Sequence, residues 1–389
     1  SEPLMFKSLI TSASVAALGF SAASALADST EFSAVSTSVS VAPVNPQFDI
    51  FAPQERQSAD RIDYTAWSEA MNYLVYTMGP SIREAPSRAE ATLGSRRIYG
   101  HQSRYRLEGN RVMFSFFNDE LRNMVADYRL ELEQLGNQID ITTLPRNEQL
   151  AYWLNLHNVA VMEKIAQEWP IRQPREIEID GIPFDQAKFI TVRGVTMSPH
   201  DIRHQIVFRN WENPKVIYGF WRGEIGGPSL PSDAFTGLNV SQVLERNARE
   251  FVNSLRGTQN RAERLQISTI YDEARPYFFV DWPNEIRSHL SGYANEEVSA
   301  IIAKTTETEA VVYEADIADL AGGVREPSYV EVSSDGVANS FRIPRGTARL
   351  LREQAQRAEN AREQRGPRTG TVIFNPINLP GQENNGEVD

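Results

Sequence analysis

Between Leu150 and Ile165, large residues recur every three or four positions at Leu150, Leu154, His157, Val161 and Ile165. A helix with that period turns the whole set to one side and buries it, and one member of the set is an imidazole. A buried polar group needs a partner, so this stripe must meet something able to satisfy His157. Further polar and aromatic residues crowd the same run, Asn147-Glu-Gln-Leu-Ala-Tyr-Trp-Leu-Asn-Leu-His-Asn158. A second crowded run follows at Gly219-Phe-Trp-Arg-Gly-Glu-Ile-Gly-Gly-Pro-Ser-Leu230. Neither a plain core helix nor a plain loop requires such a mixture.

The rest of the chain alternates helical periods with short hairpin signals. Asp63 starts a helix over Tyr64 to Tyr76 that Gly79-Pro80 stops. A longer helix is expected from Asn118 to Leu135, with Gly136 as its C-terminal cap. Glu176 to Ile182 reads as a strand entering a hairpin at Asp180-Gly181, and Phe189 to Met197 as a strand pair around Arg193-Gly194. Ser198 then caps a short helix reaching Arg209, with Pro199 in its first turn. Lys215 to Phe220 reads as a short strand, and Ser241–Leu255 and Glu285–Ile302 as helices. The pattern implies an α+β fold: a mainly helical single domain with a small, mostly antiparallel sheet, a flexible N-terminal linker and a C-terminal tail.

Composition limits what this fold can do. The 389 residues carry a net charge of -12, which disfavours nucleic acid and anionic lipid as partners. There is no cysteine, hence no disulfide, no thiol catalysis and no thiolate metal site. At the N-terminus, Lys7, the apolar run Leu9 to Ala23 and the small-x-small Ala25-Leu26-Ala27 read as a signal peptide over 1–27, with 1–4 as extra residues upstream of Met5. The apolar run falls short of the roughly 20 residues that cross a bilayer, so no membrane span is expected in the mature chain, which is placed in the periplasm or outside the cell. Residues 28–57 read as the linker and 58–322 as the main domain. Residues 323–389 form a charged arm and an acidic tail, the tail beginning at Asn375. The arm at 347–365 has only Leu350 and Leu351 as large apolar residues. It reads as a solvated helix or disordered arm, or as a segment for a protein partner.

Several phrases in order resemble the family called domain of unknown function 547. They are the Asn147–Asn158 run, Met197-Ser-Pro-His-Asp-Ile-Arg-His204, Asn213-Pro-Lys-Val-Ile-Tyr-Gly-Phe220, Ala234-Phe-Thr-Gly-Leu-Asn-Val240 and Asn247-Ala-Arg-Glu-Phe251. The resemblance runs from about 60 to 320 and is strongest between 145 and 256. Where the family phrase has Tyr, this chain has His157. Where members commonly carry Ser-Cys-Pro, it has Gly226-Gly227-Pro228, placing Gly227 at the thiol position. The resemblance implies a site but no activity.

Three chemistries compete for that site. In the first, His157, Asn158, Trp221, Arg222, Glu224, Gly226 and Gly227 line a pocket for a small molecule or peptide. The loop amides and Arg222 would hold a carboxylate or carbonyl oxygen, and the protein would bind or scaffold. In the second, His204 is the base of a hydrolase acting on a peptide- or amide-like substrate, with Ser229 or water as nucleophile. In the third, His200 and His204, one turn apart beside Asp201, share a metal. Each has a plain alternative: His157 and Asn158 as a buried hydrogen-bonded pair, the loop as a structural turn, and Trp221 as core. No cofactor is read from the chain.

Overall fold

In the computed structural model of the chain, the described residues are 43–55, 58–88, 98–326, 329–333 and 340–365. The signal-peptide segment, most of the linker and the acidic tail from Asn375 lie outside them. No helix among the described residues is long and apolar enough to cross a membrane.

A 3-10 turn at Pro46–Phe51 buries Phe48 and Phe51, so this end of the expected linker is core. Helix α1 (Thr65–Leu74) starts where Asp63 accepts from the Thr65 amide, and it runs into β1 (Val75–Tyr76), antiparallel to β2 (Arg111–Val112). Helix α2 (Asp119–Gln138) is capped by the Asn118 side chain, which accepts from Leu121 N. Gly136 does not end it. The residue sits inside the helix, where a Cβ would meet the Tyr152 hydroxyl at 2.4 Å and Val192 Cγ1 at 2.7 Å. Its role is to let α2 lie close against its neighbours.

Helix α3 (Arg146–Glu168) is the one that carries the periodic stripe, and it is more deeply placed than one stripe implies. Every residue from Glu148 to Glu163 is buried. A helix buried all round must satisfy polar side chains on every face. The two hairpins that follow, β3 (Glu178–Ile179) with β4 (Ile182–Pro183) and β5 (Ile190–Val192) with β6 (Val195–Met197), turn where expected. Their turn pairs Asp180-Gly181 and Arg193-Gly194 all have positive φ, the geometry that joins twisted strands through two residues.

Ser198 and Asp201 form a reciprocal capping box at the start of α4 (199–210). Its middle, Ile202–Val207, is π-helical, a local widening that occurs often at functional sites. The run expected as a strand at Lys215–Phe220 is instead a 3-10 helix, Pro214–Gly219, with Asn213 accepting from Lys215 N. A short buried apolar run reads alike in either conformation, and the Asn-Pro start decided it. Helix α5 (Val240–Val252) follows.

The strands β7 (Thr258–Arg261), β8 (Arg264–Ser268) and β9 (Thr308–Val312) form the one three-stranded sheet among the described residues. Its β8–β9 edge is parallel. Between them run α6 (Ile270–Phe278), α7 (Trp282–Tyr293) and α8 (Glu296–Lys304). The single helix expected over 285–302 therefore breaks, and Asn295 caps the second piece by accepting from Val298 N. Last come the hairpin β10 (Tyr329–Ser333) with β11 (Ser340–Pro344) and helix α9 (Arg345–Arg365). The α+β class with small, mostly antiparallel sheets is as expected.

The arm differs from expectation. Leu350 is fully buried with Met78, Leu107, Met113 and Leu320, and Arg357 donates to the carbonyls of Leu107 and Met78. Glu353 pairs with buried Arg106. Helix α9 docks on its own chain through Leu350 and through Arg349 and Arg357, which donate to the backbone carbonyls of His101, Leu107 and Met78.

Candidate functional site

Three buried amides fasten helices to the 3-10 turn and to the loop that follows it. Asn158 donates to Gly219 O at 2.9 Å and accepts from Trp221 N at 3.1 Å. Asn155 pairs in the same way with the backbone of Phe235. Asn247 of α5 donates to Tyr218 O. A carboxamide carries both donor and acceptor, so one side chain can satisfy both sides of a buried strand-like segment.

Beside this clamp, Arg203 forms the hub of an ionic network. It holds Asp185 with two parallel bonds of 2.7 Å, reaches Glu273 at 3.0 Å and donates to His157 Nε2 at 3.0 Å. Burial works against its charge, but Asp185 and Glu273 outweigh burial and raise its pKa above the ordinary arginine value. Burial and then Arg203 lower the pKa of His157 to about 3, so the ring is neutral. Its Nδ1 faces Asn158 Oδ1 at 2.9 Å, which leaves it no free nitrogen. Glu273 also receives His204 at 2.8 Å and is in contact with Arg222. Burial would raise the pKa of Glu273, yet Arg222, Arg203 and His204 hold it well below the usual carboxylate range.

The outer edge of the network is Arg222 and Glu224. The Arg222 side chain is 22% exposed, while its Nε is a buried donor with no acceptor. Two residues on, burial raises the pKa of Glu224 from 4.5 to about 7, against the pull of Arg222, a hydrogen bond from Tyr313 and Arg175. A carboxyl that holds its proton more tightly in the folded chain costs stability once it ionises. The loss therefore develops as pH rises from 4.5 to 7. Glu224→Gln, which stays uncharged, is expected to flatten the urea-unfolding profile over that window by about 1–3 kcal/mol. Parallel profiles for variant and wild type would contradict this assignment.

The residues anticipated from sequence divide into two groups. His157, Asn158, His204, Arg222 and Glu224 belong to one connected region. Trp221 contributes only its backbone there, since its ring is 1% exposed and stacks on Phe114 in the core. Ser229 and Gly227 belong elsewhere. Ser229 Oγ receives Asn110 N and Arg256 and donates to Glu250, and Arg256 Nε donates to Gly227 O. His204 shares none of these partners, so the structure does not assemble a Ser229–His204 pair.

The shared-metal reading fails on geometry. The His200 and His204 rings stack with centroids 4.0 Å apart and planes 15° from parallel. Their in-plane lone pairs therefore run side by side instead of converging on an ion about 2 Å from each. Both nitrogens of His204 already face Tyr277 and Glu273. No group of three or more ligating side chains occurs among the described residues.

Sequence reasoning missed Arg203, Asp185, Glu273 and Tyr313. Arg203 stands inside the quoted phrase, between the two histidines that drew attention. Glu273 lies 69 and 70 positions from its partners, with no local signal around it.

The glycines of the loop are not equivalent. A Cβ at Gly226 would meet the backbone of Glu314 at 2.5 Å (O) and 2.7 Å (N), whereas at Gly227 the nearest atoms are at 3.6 and 3.8 Å. Gly226→Ala should lower stability by about 1–3 kcal/mol and Gly227→Ala by less than about 0.5 kcal/mol in urea titrations. Equal losses would contradict this difference.

Residues 141–252 match the family model described as "Protein of unknown function, DUF547". No curated protein and no solved structure matches the chain. The matched segment contains α3, both hairpins, α4 and the loop with Arg222 and Glu224, which is most of the connected region. Glu273, Tyr277 and Tyr313 lie outside it.

Proposed function

We propose that the chain, whose residues 141–252 match the DUF547 family model, is an exported binding or scaffold protein. Its ligand, a small molecule or peptide bearing a carboxylate, is held at the edge formed by Arg222 and Glu224. The observation that carries this reading is the Arg222 Nε, a buried cationic donor without an acceptor beside a carboxyl poised to titrate near neutrality. Buried donors are ordinarily satisfied by protein, water or ligand, and a guanidinium edge matches a carboxylate. Glu224 in its protonated form can donate to the same group, and its ionised form would repel it. Glu273 orients Arg222, and His204 and Arg203 orient Glu273, so these are positioning residues.

Export is supported by the basic, apolar and Ala25-Leu26-Ala27 signature, with periplasmic or extracellular placement following from it. Expression with fractionation tests it: a mature chain beginning at Asp28 outside the cytoplasm is expected, and an unprocessed cytoplasmic chain would overturn it. Binding is tested with a thermal-shift panel of acidic amino acids and short peptides on wild type and Arg222→Ala. A stabilising ligand lost in the variant is expected, and a panel with no stabiliser of wild type would overturn the reading.

A further inference from the structure

Resting on the reading that Arg222 holds one carboxylate, we propose that Arg175 and Tyr313 hold a second, so that the ligand class is a dicarboxylate. Three backbone segments bring these residues together. Ile317 N donates to Arg172 O at 2.8 Å, Ala318 N to Gly223 O at 2.7 Å, and Ile225 N to Asp316 O at 2.8 Å. Arg175, Glu224 and Tyr313 are therefore set by one joined frame of main chain.

Arg175 is an exposed cation that is nonetheless fixed in place. Its Nε and Nη2 both donate to Gln173 Oε1, at 3.1 and 2.8 Å, and its Nη1 donates to the Tyr313 hydroxyl at 3.1 Å. The guanidinium also lies over the Tyr313 ring, 5.3 Å from the centroid. Three of its five N–H donors are used in this way, and two remain for a ligand. A free arginine side chain gives up about 2 kcal/mol of rotamer freedom when it is ordered. Gln173 and Tyr313 have ordered this one beforehand, so a ligand meets a prepared fork. Among the described residues Arg175 is in no ion pair, although Glu224 and Asp316 are near enough to feel its charge.

Two carboxylates on one ligand suit this arrangement better than a single anion such as phosphate. Arg222 is anchored on Glu273 and Arg175 on Gln173 and Tyr313, so the two guanidiniums share no partner. Glu224 is the group that both of them act on. The Tyr313 hydroxyl accepts from Arg175 and donates to Glu224 Oε1 at 3.3 Å, which places it between the outer cation and that carboxyl. Arg222 keeps its unpaired Nε at the other end. The Tyr313 ring, 46% exposed, offers apolar surface to the carbons that join the two carboxylates.

The test is calorimetric titration of the full chain at pH 6 with succinate, glutarate and adipate, each beside its monomethyl ester. One diacid is expected to bind about tenfold or more tightly than its ester, the least that a charge-assisted hydrogen bond supplies. Arg175→Gln should remove that advantage and leave ester affinity and thermal stability unchanged, since the side chain is exposed. Arg222→Ala should weaken diacid and ester together. N-acetyl-alanyl-glutamate, with two carboxylates at a peptide end, separates the sources: tighter binding than every diacid assigns the site to a peptide terminus, and weaker binding to a free diacid. Equal binding of diacid and ester, or a diacid advantage that survives Arg175→Gln, would overturn the second subsite and leave the role of Arg222 standing. Displacement of the diacid by an equal concentration of inorganic phosphate would overturn it too. No binding of any carboxylate would overturn both.

Discussion

Replacing Arg203 with Met is expected to lower the unfolding free energy by about 3–5 kcal/mol, the range for removing one partner from a buried charge network. The side chain is 1% exposed and serves four acceptor atoms on three residues, Asp185, Glu273 and His157. Met fills similar volume, so the loss reports charge and hydrogen bonding more than a cavity. Arg203→Lys should recover only part, because one ammonium cannot reproduce a fork shared by two carboxylates and an imidazole. Urea unfolding measures both variants. Pairing Arg203→Met with Glu273→Gln should give a combined loss clearly smaller than the sum, since the second change removes the carboxylate that the first leaves bare. A single-variant loss below about 1 kcal/mol, or additive losses, would contradict the hub assignment.

Asn158→Leu is expected to cost about 3–5 kcal/mol as well, by a different route. It strands the buried Gly219 carbonyl, the Trp221 amide and the His157 ring nitrogen, each worth about 1–3 kcal/mol when left unpaired. Because the lost bonds hold the segment leading into Arg222, ligand affinity should fall with stability. Asn158→Asp keeps the acceptor for Trp221 N and loses the donor to Gly219 O. Its shortfall reports the second bond together with the burial of a charge. Unfolding curves for both variants, recorded beside ligand titrations, check the pair. Unchanged affinity in a destabilised Asn158→Leu would break the link between clamp and site.

What could be read from the sequence was local chemistry. The Asp180-Gly181 and Arg193-Gly194 turns and the Ser198 cap depend on residues within a few positions of one another, and all three form as expected. The stripe at Leu150–Ile165 marked a buried helix, and burial explains why His157 and Asn158 are partnered. The errors arose where distant contacts decide. Gly136 looks like a helix stop until Tyr152 is seen against it, and Leu350 looks too isolated to dock until Met78, Leu107, Met113 and Leu320 surround it. For the site, the sequence marked Arg222, Glu224 and His204, but the carboxylate that joins Arg222 to His204 comes from α6. Only folding brings Glu273 to them. Ser229 lies seven positions from Arg222 and yet faces Glu250 and Arg256, because nearness along a loop does not fix direction.

The most direct test of the account is calorimetric titration of the best thermal-shift ligand into wild type, Arg222→Ala and Ser229→Ala at pH 6 and pH 8. Wild type and Ser229→Ala should bind alike, and Arg222→Ala should bind at least tenfold more weakly. Wild-type affinity should be greater at pH 6, where Glu224 keeps its proton, and Glu224→Gln should lose that pH dependence. Binding that survives Arg222→Ala and disappears in Ser229→Ala would move the site to the Glu250–Arg256 side and contradict the account.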